Sequence, residues 1–374
     1  AAAITVNNSD GTCTANLTNK PNRNLIINGA MQVAQRGTSS TTSGYGSVDR
    51  FKILFDNTDE APTHAQVDLT SSDTGPYEEG FRKALKITNG NQTSGAGAND
   101  FIKAQQDIEG QNIVNSGWDA TDPNSKLTIS YWVKSSVPQT FFGRFRAFAS
   151  TQYEYTYSFA LSTNTWTKVT ETVPGNSNFS SIPNTNAHGF FHIWQCFFGT
   201  DFTNNKTLDT WAVKDNANKS PDMTSTWYTT NNATFEITGV QLEVSDHASD
   251  FQFKSFAEEF ALCQRYYQQF DDSSNPSSYV WGMGYGGGGN SGNLIIYYQT
   301  VMRTIPTASG ENLNNLNFND GTAAYTAANN TFGFAGSEYS MKVGSGSLGS
   351  MTGKALSIYS VSSTNTKIKL DAEL

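Results

Sequence analysis

The chain has 374 residues, of which 15% are charged and 13% are aromatic, and its formal net charge at pH 7 is -9. Low charge with many aromatic residues is typical of an all-β protein with short strands and polar turns, and it excludes a coiled coil or a long disordered tail. No cluster of lysine and arginine appears along the sequence, which argues against binding to nucleic acid or to an anionic membrane. No apolar run is long enough to span a bilayer, so we expect no membrane insertion.

The first 23 residues form a segment of their own. Residues 1–23 alternate only weakly between apolar and polar side chains and end at Lys20-Pro21-Asn22. We predict either an arm that docks on a neighbouring subunit or a larger particle, or a first strand of the sandwich that follows. The segment lacks the basic and apolar parts of a secretion signal, so we expect assembly in a cytoplasm unless the start has been processed.

A period-two alternation dominates residues 24–254. Apolar side chains occupy every second position in several short runs, among them 127–133, 141–147, 153–159 and 240–244. Arg144, Arg146 and Glu154 fall on the polar side of these runs. The run 190–197 is apolar at both alternations, which predicts a strand covered on both faces. Such strands, separated by polar turns without a helical pattern, predict a jelly-roll β-sandwich over residues 24–254.

Residues 255–270 are predicted to form the one clear helix. Ser255 followed by Glu258 is a capping box, in which each side chain bonds the other residue's backbone amide. The apolar face is wide for a helix that packs on a single sheet surface. Two interpretations stay open, in which the whole face packs on its own chain or part of it meets a second copy. The candidate interface residues are Phe256, Phe260, Leu262 and Tyr266.

The last segment, residues 271–374, is predicted to be a small β-rich C-terminal domain. It begins with a polar linker and then shows strand candidates at 294–298, 301–305, 356–361 and 366–370, separated by turns rich in glycine, asparagine and serine. At this length the domain has a small core. We therefore expect copies of the chain to complete it.

Several motifs also carry a resemblance to known proteins. The run ITGVQLEV (237–244) followed by DFQFKSFAEEFALCQRYYQ (250–268) resembles the junction in many bacteriophage tail-fibre and virion-appendage proteins. There, a β-sandwich similar to carbohydrate-binding modules ends in a VQLE strand, and a short helix with CQRYY follows. Further matches occur in the family's order, namely NLIINGAMQVAQRG (24–37), VDRF (48–51), SKLTISYWVKSS (125–136), NTWTKVTETVPG (164–175), VMRTIPT (301–307) and DAEL (371–374).

The resemblance implies a function as well as a fold. It implies a homotrimeric virion protein, attached to other virion proteins through the N-terminal segment, that adheres to host cell-surface glycans. The alternative is a purely structural role as a capsid decoration or fibre protein or a tail connector. Such sandwiches often hold a structural calcium ion, for which the sequence identifies no ligands. The sequence alone does not separate three copies from two.

No catalytic centre is predicted. His188 and His192 are four residues apart, but in a strand that spacing places them ~13 Å from each other, too far to share a metal ion. Cys13, Cys196 and Cys263 are far apart and are expected to be reduced, without a disulfide. The acidic pairs are interpreted as solvated surface, and they are Glu78 with Glu79, Asp107 with Glu109, Glu258 with Glu259, and Asp271 with Asp272. We therefore expect no enzyme activity and no cofactor.

Aromatic residues supply the candidate binding site. Sugars stack their apolar ring faces on aromatic side chains, while polar neighbours bond the hydroxyls. Tyr279, Trp281 and Tyr285 stand beside a glycine-rich stretch that we interpret as a hairpin tip. They are the predicted carbohydrate-binding residues. Trp118, Trp211 and Trp227, in polar stretches, are weaker candidates because a buried role is commoner for tryptophan.

Overall fold

The computed structural model describes residues 4–6, 13–15, 23–272, 280–287, 291–326, 332–346, 348, 352–360 and 365–374. Within these residues the chain is almost entirely β-structure, with three short α-helices and one 3-10 turn. The prediction of an all-β chain is confirmed. The chain divides into two compact units, residues 1–254 and residues 255–374.

The first unit contains fourteen strands and two helices in its described part. In chain order they are β1 Ile4–Val6, β2 Cys13–Ala15, β3 Ser39–Ser40, β4 Lys52–Asp56, β5 Thr63–Asp68, β6 Lys83–Thr88, β7 Phe101–Glu109, α1 Gly110–Val114, β8 Lys126–Ser135, β9 Gln139–Phe148, β10 Gln152–Leu161, β11 Thr167–Pro174, β12 His188–Phe198, β13 Trp211–Val213, α2 Thr226–Thr229 and β14 Thr234–Val244. β1 and β2 pair with each other in a two-stranded antiparallel sheet.

Two six-stranded sheets form the predicted jelly-roll sandwich. The first sheet has the order β13-β10-β9-β12-β7-β4, and the second has the order β11-β8-β14-β6-β5-β3. Their facing sides bury one apolar core, because every second residue of each strand points inward. Burying a large apolar side chain contributes ~1.5–3 kcal/mol, so this core accounts for an independently stable unit.

β12 is covered on both faces, as the sequence predicts. Every residue from Gly189 to Phe198 is buried. On the core side, the His192 Nε2 atom lies 2.8 Å from the Tyr157 hydroxyl, which lies 3.0 Å from the Tyr131 hydroxyl. These bonds satisfy polar groups that would otherwise destabilise the core. His192 is therefore a core residue, and His188 is half-buried at the start of the strand.

The second unit contains one α-helix and ten strands in its described part. They are α3 Phe256–Gln264, β15 Tyr267–Asp271, β16 Val280–Gly286, β17 Gly292–Tyr297, β18 Thr307–Glu311, β19 Leu316–Asn319, β20 Ala324–Thr326, β21 Phe332–Gly336, β22 Ser340–Ser345, β23 Ala355–Ser360 and β24 Lys367–Asp371, with a 3-10 turn at Leu313–Asn315. The strands form a three-stranded sheet, β15-β24-β18, and a seven-stranded sheet, β20-β19-β23-β16-β17-β22-β21.

The helix prediction is correct at its start and wrong at its end. Both bonds of the capping box are present between Ser255 and Glu258. The helix ends at Gln264, however, and residues 267–271 form β15, paired along its length with β24. Tyr-Tyr-Gln-Gln-Phe has good strand propensity, and the paired strand satisfies its backbone groups.

The early end of α3 changes the predicted interface. Tyr266 is only 1% exposed, so it does not present a surface to a second copy, and its backbone carbonyl accepts a bond from the Ala372 amide. Phe256 is 58% exposed and its ring stacks on that of Phe260 at 5.7 Å. Phe260 and Leu262 are half-buried. Three of the four predicted interface residues are therefore accessible to a partner.

One predicted strand is absent. Residues 301–302 have no regular structure and residues 303–305 form a bend instead. The Arg303 amide donates to the Arg265 carbonyl, and the Arg303 side chain donates to the carbonyls of Ala372 and Glu373. These hydrogen bonds of Arg303 take the place of the backbone pairing of a β-strand, and the next strand, β18, begins only after Pro306.

Candidate functional site

The predicted carbohydrate-binding residues lie on or beside β16. Tyr279 lies outside the described residues. β16 and β17 form an antiparallel hairpin in which Gly284 is opposite Leu294 and Tyr285 is opposite Asn293. Alternate positions therefore share a side of the sheet, and the inward positions include Leu294 and Ile296, which are buried in the core.

The outward positions of this hairpin form a surface that we call the aromatic face. The exposed fractions are 67% for Met283, 46% for Tyr285, 38% for Ile295 and 76% for Tyr297. Gly284 permits the close approach of the two strands, because a Cβ atom there would lie 1.9 Å from the Asn293 carbonyl oxygen. The face is thus built by two neighbouring strands, and one of them carries a predicted site residue.

Trp281 lies at the end of the aromatic face, beside a shallow cavity. The cavity has a volume of about 540 Å³, and its lining includes Trp281, Met283, Tyr297 and Gln299. Trp281 is half-buried against the core, and its Nε1–H donates to the Ser360 hydroxyl at 2.9 Å. This bond fixes the indole at the edge of the cavity. The sequence missed Met283 and Tyr297, although the alternation in 292–297 carries the signal for Tyr297.

The three weaker tryptophan candidates are structural. Trp227 is fully buried, and its Nε1–H donates to the Thr234 carbonyl at 3.0 Å. Trp118 is 5% exposed, and Trp211 is half-buried against Tyr155 and Phe179. Their rings are occupied by the core of the first unit, so they do not offer a stacking platform.

A second notable surface is the outer side of the first sheet, which we call the polar face. It carries Lys103, Gln105 and Asp107 of β7, Arg144 and Arg146 of β9, Glu154 of β10 and Gln195 of β12. The register places Arg144 opposite Ile193 and Ile193 opposite Gln105, while Gln195 is opposite Lys103. These side chains share one side because the intervening positions, such as Phe145 and His192, fill the core.

The polar face is largely covered. Residues 199–220, which we call the covering segment, bond it directly, since the Thr156 hydroxyl donates to the Lys219 carbonyl and the Asp209 amide donates to the Thr156 carbonyl. Asp107 is 1% exposed and Glu109 is fully buried, so the interpretation of this pair as solvated surface is wrong. The same correction applies to Glu259 and Asp272, which are also buried.

Ion pairs and burial set the charges of the polar face. The Glu154 carboxylate accepts hydrogen bonds from both Arg144 and Arg146, the latter through Nε at 2.7 Å. Burial lowers the pKa of Arg144 to about 10. Burial, and then the Arg144 charge, lower the pKa of Lys103 to about 7. This side of the sheet is therefore rich in cations that have few opposite charges nearby.

The described ranges contain neither a cluster of metal-ligating side chains nor a helix that could span a membrane. Those residues contain no group of three or more His, Cys, Asp or Glu side chains that could hold a metal ion. Among the helices in the described ranges, none is long and apolar enough to cross a membrane. Cys196 and Cys263 are both buried.

Comparison with known proteins shows only distant similarity. Neither a protein-family model nor a curated protein matches this sequence. The chain is similar to the enzymatically active domain of tailspike protein 4 of bacteriophage CBA120, with a TM-score of 0.32 and 10% identity over 60% of this chain and 22% of that chain. It is similar to the galactotriose complex of TmCBM61, with a TM-score of 0.29 and 10% identity over 60% and 99% of the two chains. The N-terminal cellulose-binding domain of Cellulomonas fimi β-1,4-glucanase C gives a TM-score of 0.27 and 14% identity over 58% and 100%. Similarity at this level does not assign a function.

Proposed function

We propose that the protein is a phage virion component that adheres to host cell-surface glycans through the aromatic face. The observation that carries this proposal is the exposure of two tyrosines and a methionine on one side of the β16–β17 hairpin, beside Trp281. Soluble proteins rarely expose a contiguous apolar surface without a binding role. The motifs shared with tail-fibre and virion-appendage proteins support the virion location and the trimer.

The aromatic face has the chemistry that a sugar requires. Tyr297, beside the cavity, offers a ring face for the apolar side of one pyranose, and its hydroxyl, with the amide of Gln299, offers hydrogen bonds. Tyr285 is opposite Asn293, about 13 Å along the hairpin, and offers a ring face for another unit of the same glycan. Binding at one such shallow site is expected in the millimolar range, ~4 kcal/mol. Display in several copies raises the overall avidity without new contacts. We propose no catalytic step at this surface.

A glycan array probed with the full-length protein tests the proposal. Tyr297→Ala should abolish retention on the glycans that bind the unaltered protein. Tyr339→Ala is the matched control, because Tyr339 is 61% exposed but lies in the turn before β22, where its carbonyl accepts from the Tyr298 amide. Equal retention of both variants, or no binding of the unaltered protein at any avidity, would refute adhesion through this face.

A purely structural role is the second candidate. The aliphatic side chains Met283 and Ile295 on the aromatic face, together with the stacked Phe256 and Phe260 on α3, also suit contacts between copies. In that case the same surfaces would be buried in an assembled fibre or decoration protein. Measuring mass in solution by light scattering for Met283→Ser distinguishes the two, since adhesion leaves the aromatic face outside the contacts between copies and only the structural role predicts dissociation by this change.

A further inference from the structure

Cationic side chains outnumber carboxylates on the polar face. Lys103, Arg144 and Arg146 belong to the sheet, and Lys206, Lys214 and Lys219 come from the covering segment, whereas the acids that act on them are Asp107, Glu154 and Asp215. Arg144 and Lys219 both lie against the Phe198 ring, with Cζ at 6.0 Å and Nζ at 5.4 Å from its centroid. Lys206 is 7% exposed, and it interacts with the charges of Glu154, Arg144 and Asp215. The site therefore holds an excess of positive charge in a chain whose net charge is -9.

Buried polar atoms at the same place have no partner among the described residues. Gln195 is fully buried, and neither its Oε1 nor its Nε2 makes a hydrogen bond; the Arg144 Nε and the Glu154 Oε2 are in the same situation. Buried polar groups in folded proteins are nearly always bonded. Water would satisfy the amide, but it would leave the excess of positive charge uncompensated.

The lowered pKa values of two lysines at the polar face also indicate that negative charge is lacking there. Burial, followed by the Arg144 charge, lowers the pKa of Lys219 to about 8 and the pKa of Lys103 further, to about 7. The ammonium groups are therefore held where their charged form is disfavoured. A negative group of the right size, placed between them, reverses that effect.

We propose that the polar face binds one small oxyanion, a carboxylate, sulfate or phosphate group, beneath the covering segment. The guanidinium of Arg144 and the ammonium groups of Lys103 and Lys219 supply charge, and the Gln195 amide supplies a hydrogen-bond donor. Arg146, Lys103 and Lys219 are partly exposed and form the entrance. The group arrives as a free inorganic anion or as part of an acidic sugar. The site lies in the first unit and shares no residue with the aromatic face, so either proposal can fail alone.

Titration calorimetry on the full-length protein, at fixed ionic strength set with chloride, tests the inference. The ligands are sulfate, phosphate and glucuronate, with glucose as the neutral control. Lys103→Gln and Lys219→Gln each remove a rim charge and are expected to weaken anion binding about tenfold, ~1.4 kcal/mol. Lys126→Gln is the matched control, because Lys126 is exposed on β8 of the second sheet. Gln195→Met, which removes the amide at similar volume, should also weaken binding.

The calorimetric results distinguish an acidic sugar from a free inorganic anion as the ligand, and they also show whether the anion site exists. Tighter binding of glucuronate than of sulfate supports the acidic-sugar source, and the reverse supports a free inorganic anion. Binding that is lost equally in Lys126→Gln, or that glucose matches, overturns the proposal, as does absence of binding by every anion. Circular dichroism of each variant establishes that lost binding is not lost folding.

Discussion

Replacing Glu154 by glutamine removes the one carboxylate that joins two arginines in the first sheet. The Glu154 side chain is fully buried, and that of its partner Arg144 is 1% exposed. The substitution keeps the side-chain volume and leaves the Arg144 guanidinium buried without an opposite charge at hydrogen-bonding distance. Breaking a buried pair in this way costs ~3–5 kcal/mol. We expect Glu154→Gln to lower the free energy of unfolding of the first unit by about that amount, a large part of the ~5–15 kcal/mol typical of a domain.

Urea unfolding followed by tryptophan fluorescence measures this effect selectively. The chain has seven tryptophans, and all except Trp281 lie in the first unit, so the signal reports on the sandwich. Asp68→Asn is the control, since Asp68 pairs with Lys83 in the same unit and its side chain is 76% exposed. Surface pairs contribute only ~0–1 kcal/mol. If the two substitutions shifted their transitions equally, the Arg144–Glu154 pair would not stabilise the sheet as argued.

Three further substitutions test the packing, the titration and the helix cap. Gly143→Ala should destabilise the first unit by ~1–3 kcal/mol in urea unfolding, because the added Cβ would lie 2.2 Å from the Tyr157 ring. Burial, and then the Arg144 charge, hold the pKa of His192 well below its ordinary value. The unfolded chain therefore takes up a proton below pH ~6.5 that the folded chain does not, so the free energy of unfolding falls as the pH falls. His192→Gln should make the urea midpoint depend less on pH between pH 7 and 5. Part of the pH dependence should remain, because burial also lowers the pKa of His64. Ser255→Ala should weaken the first turn of α3 locally by ~1 kcal/mol, so hydrogen exchange should quicken at the start of α3 while β24 stays unchanged.

Strand positions in the sandwich are predictable because alternation is a local property. The runs at 127–133, 141–147 and 153–159 each lie within an observed strand, and the doubly apolar run at 190–197 lies within β12. A side chain's inward or outward direction follows from period two alone. Neighbouring strands in the sheets follow from long-range pairing, which no local pattern specifies.

The polar face was not predicted because covering is not a local property. Arg144, Arg146 and Glu154 fall on the polar side of their runs, and that pattern alone favours solvent exposure. The covering segment that buries them comes from further along the chain, and its bond from Thr156 to Lys219 joins residues 63 apart. The aromatic face is predicted only in part for a similar reason. Trp281 and Tyr285 lie on β16 beside the glycine-rich stretch, whereas Tyr297 lies on β17, and the pairing of these two strands brings them together.

The net charge of the chain and the local charge of the polar face argue for a small anion over a polymer. At physiological ionic strength, exposed charges act over a Debye length of ~8 Å, so the acidic surface repels a polyanion along most of its length. A single oxyanion that enters beneath the covering segment meets mainly Arg144, Lys103 and Lys219, which are screened far less because they are partly or fully buried. The expectation that nucleic acid does not bind and the proposed positive site inside the fold are therefore compatible, and both favour a ligand with one charged group.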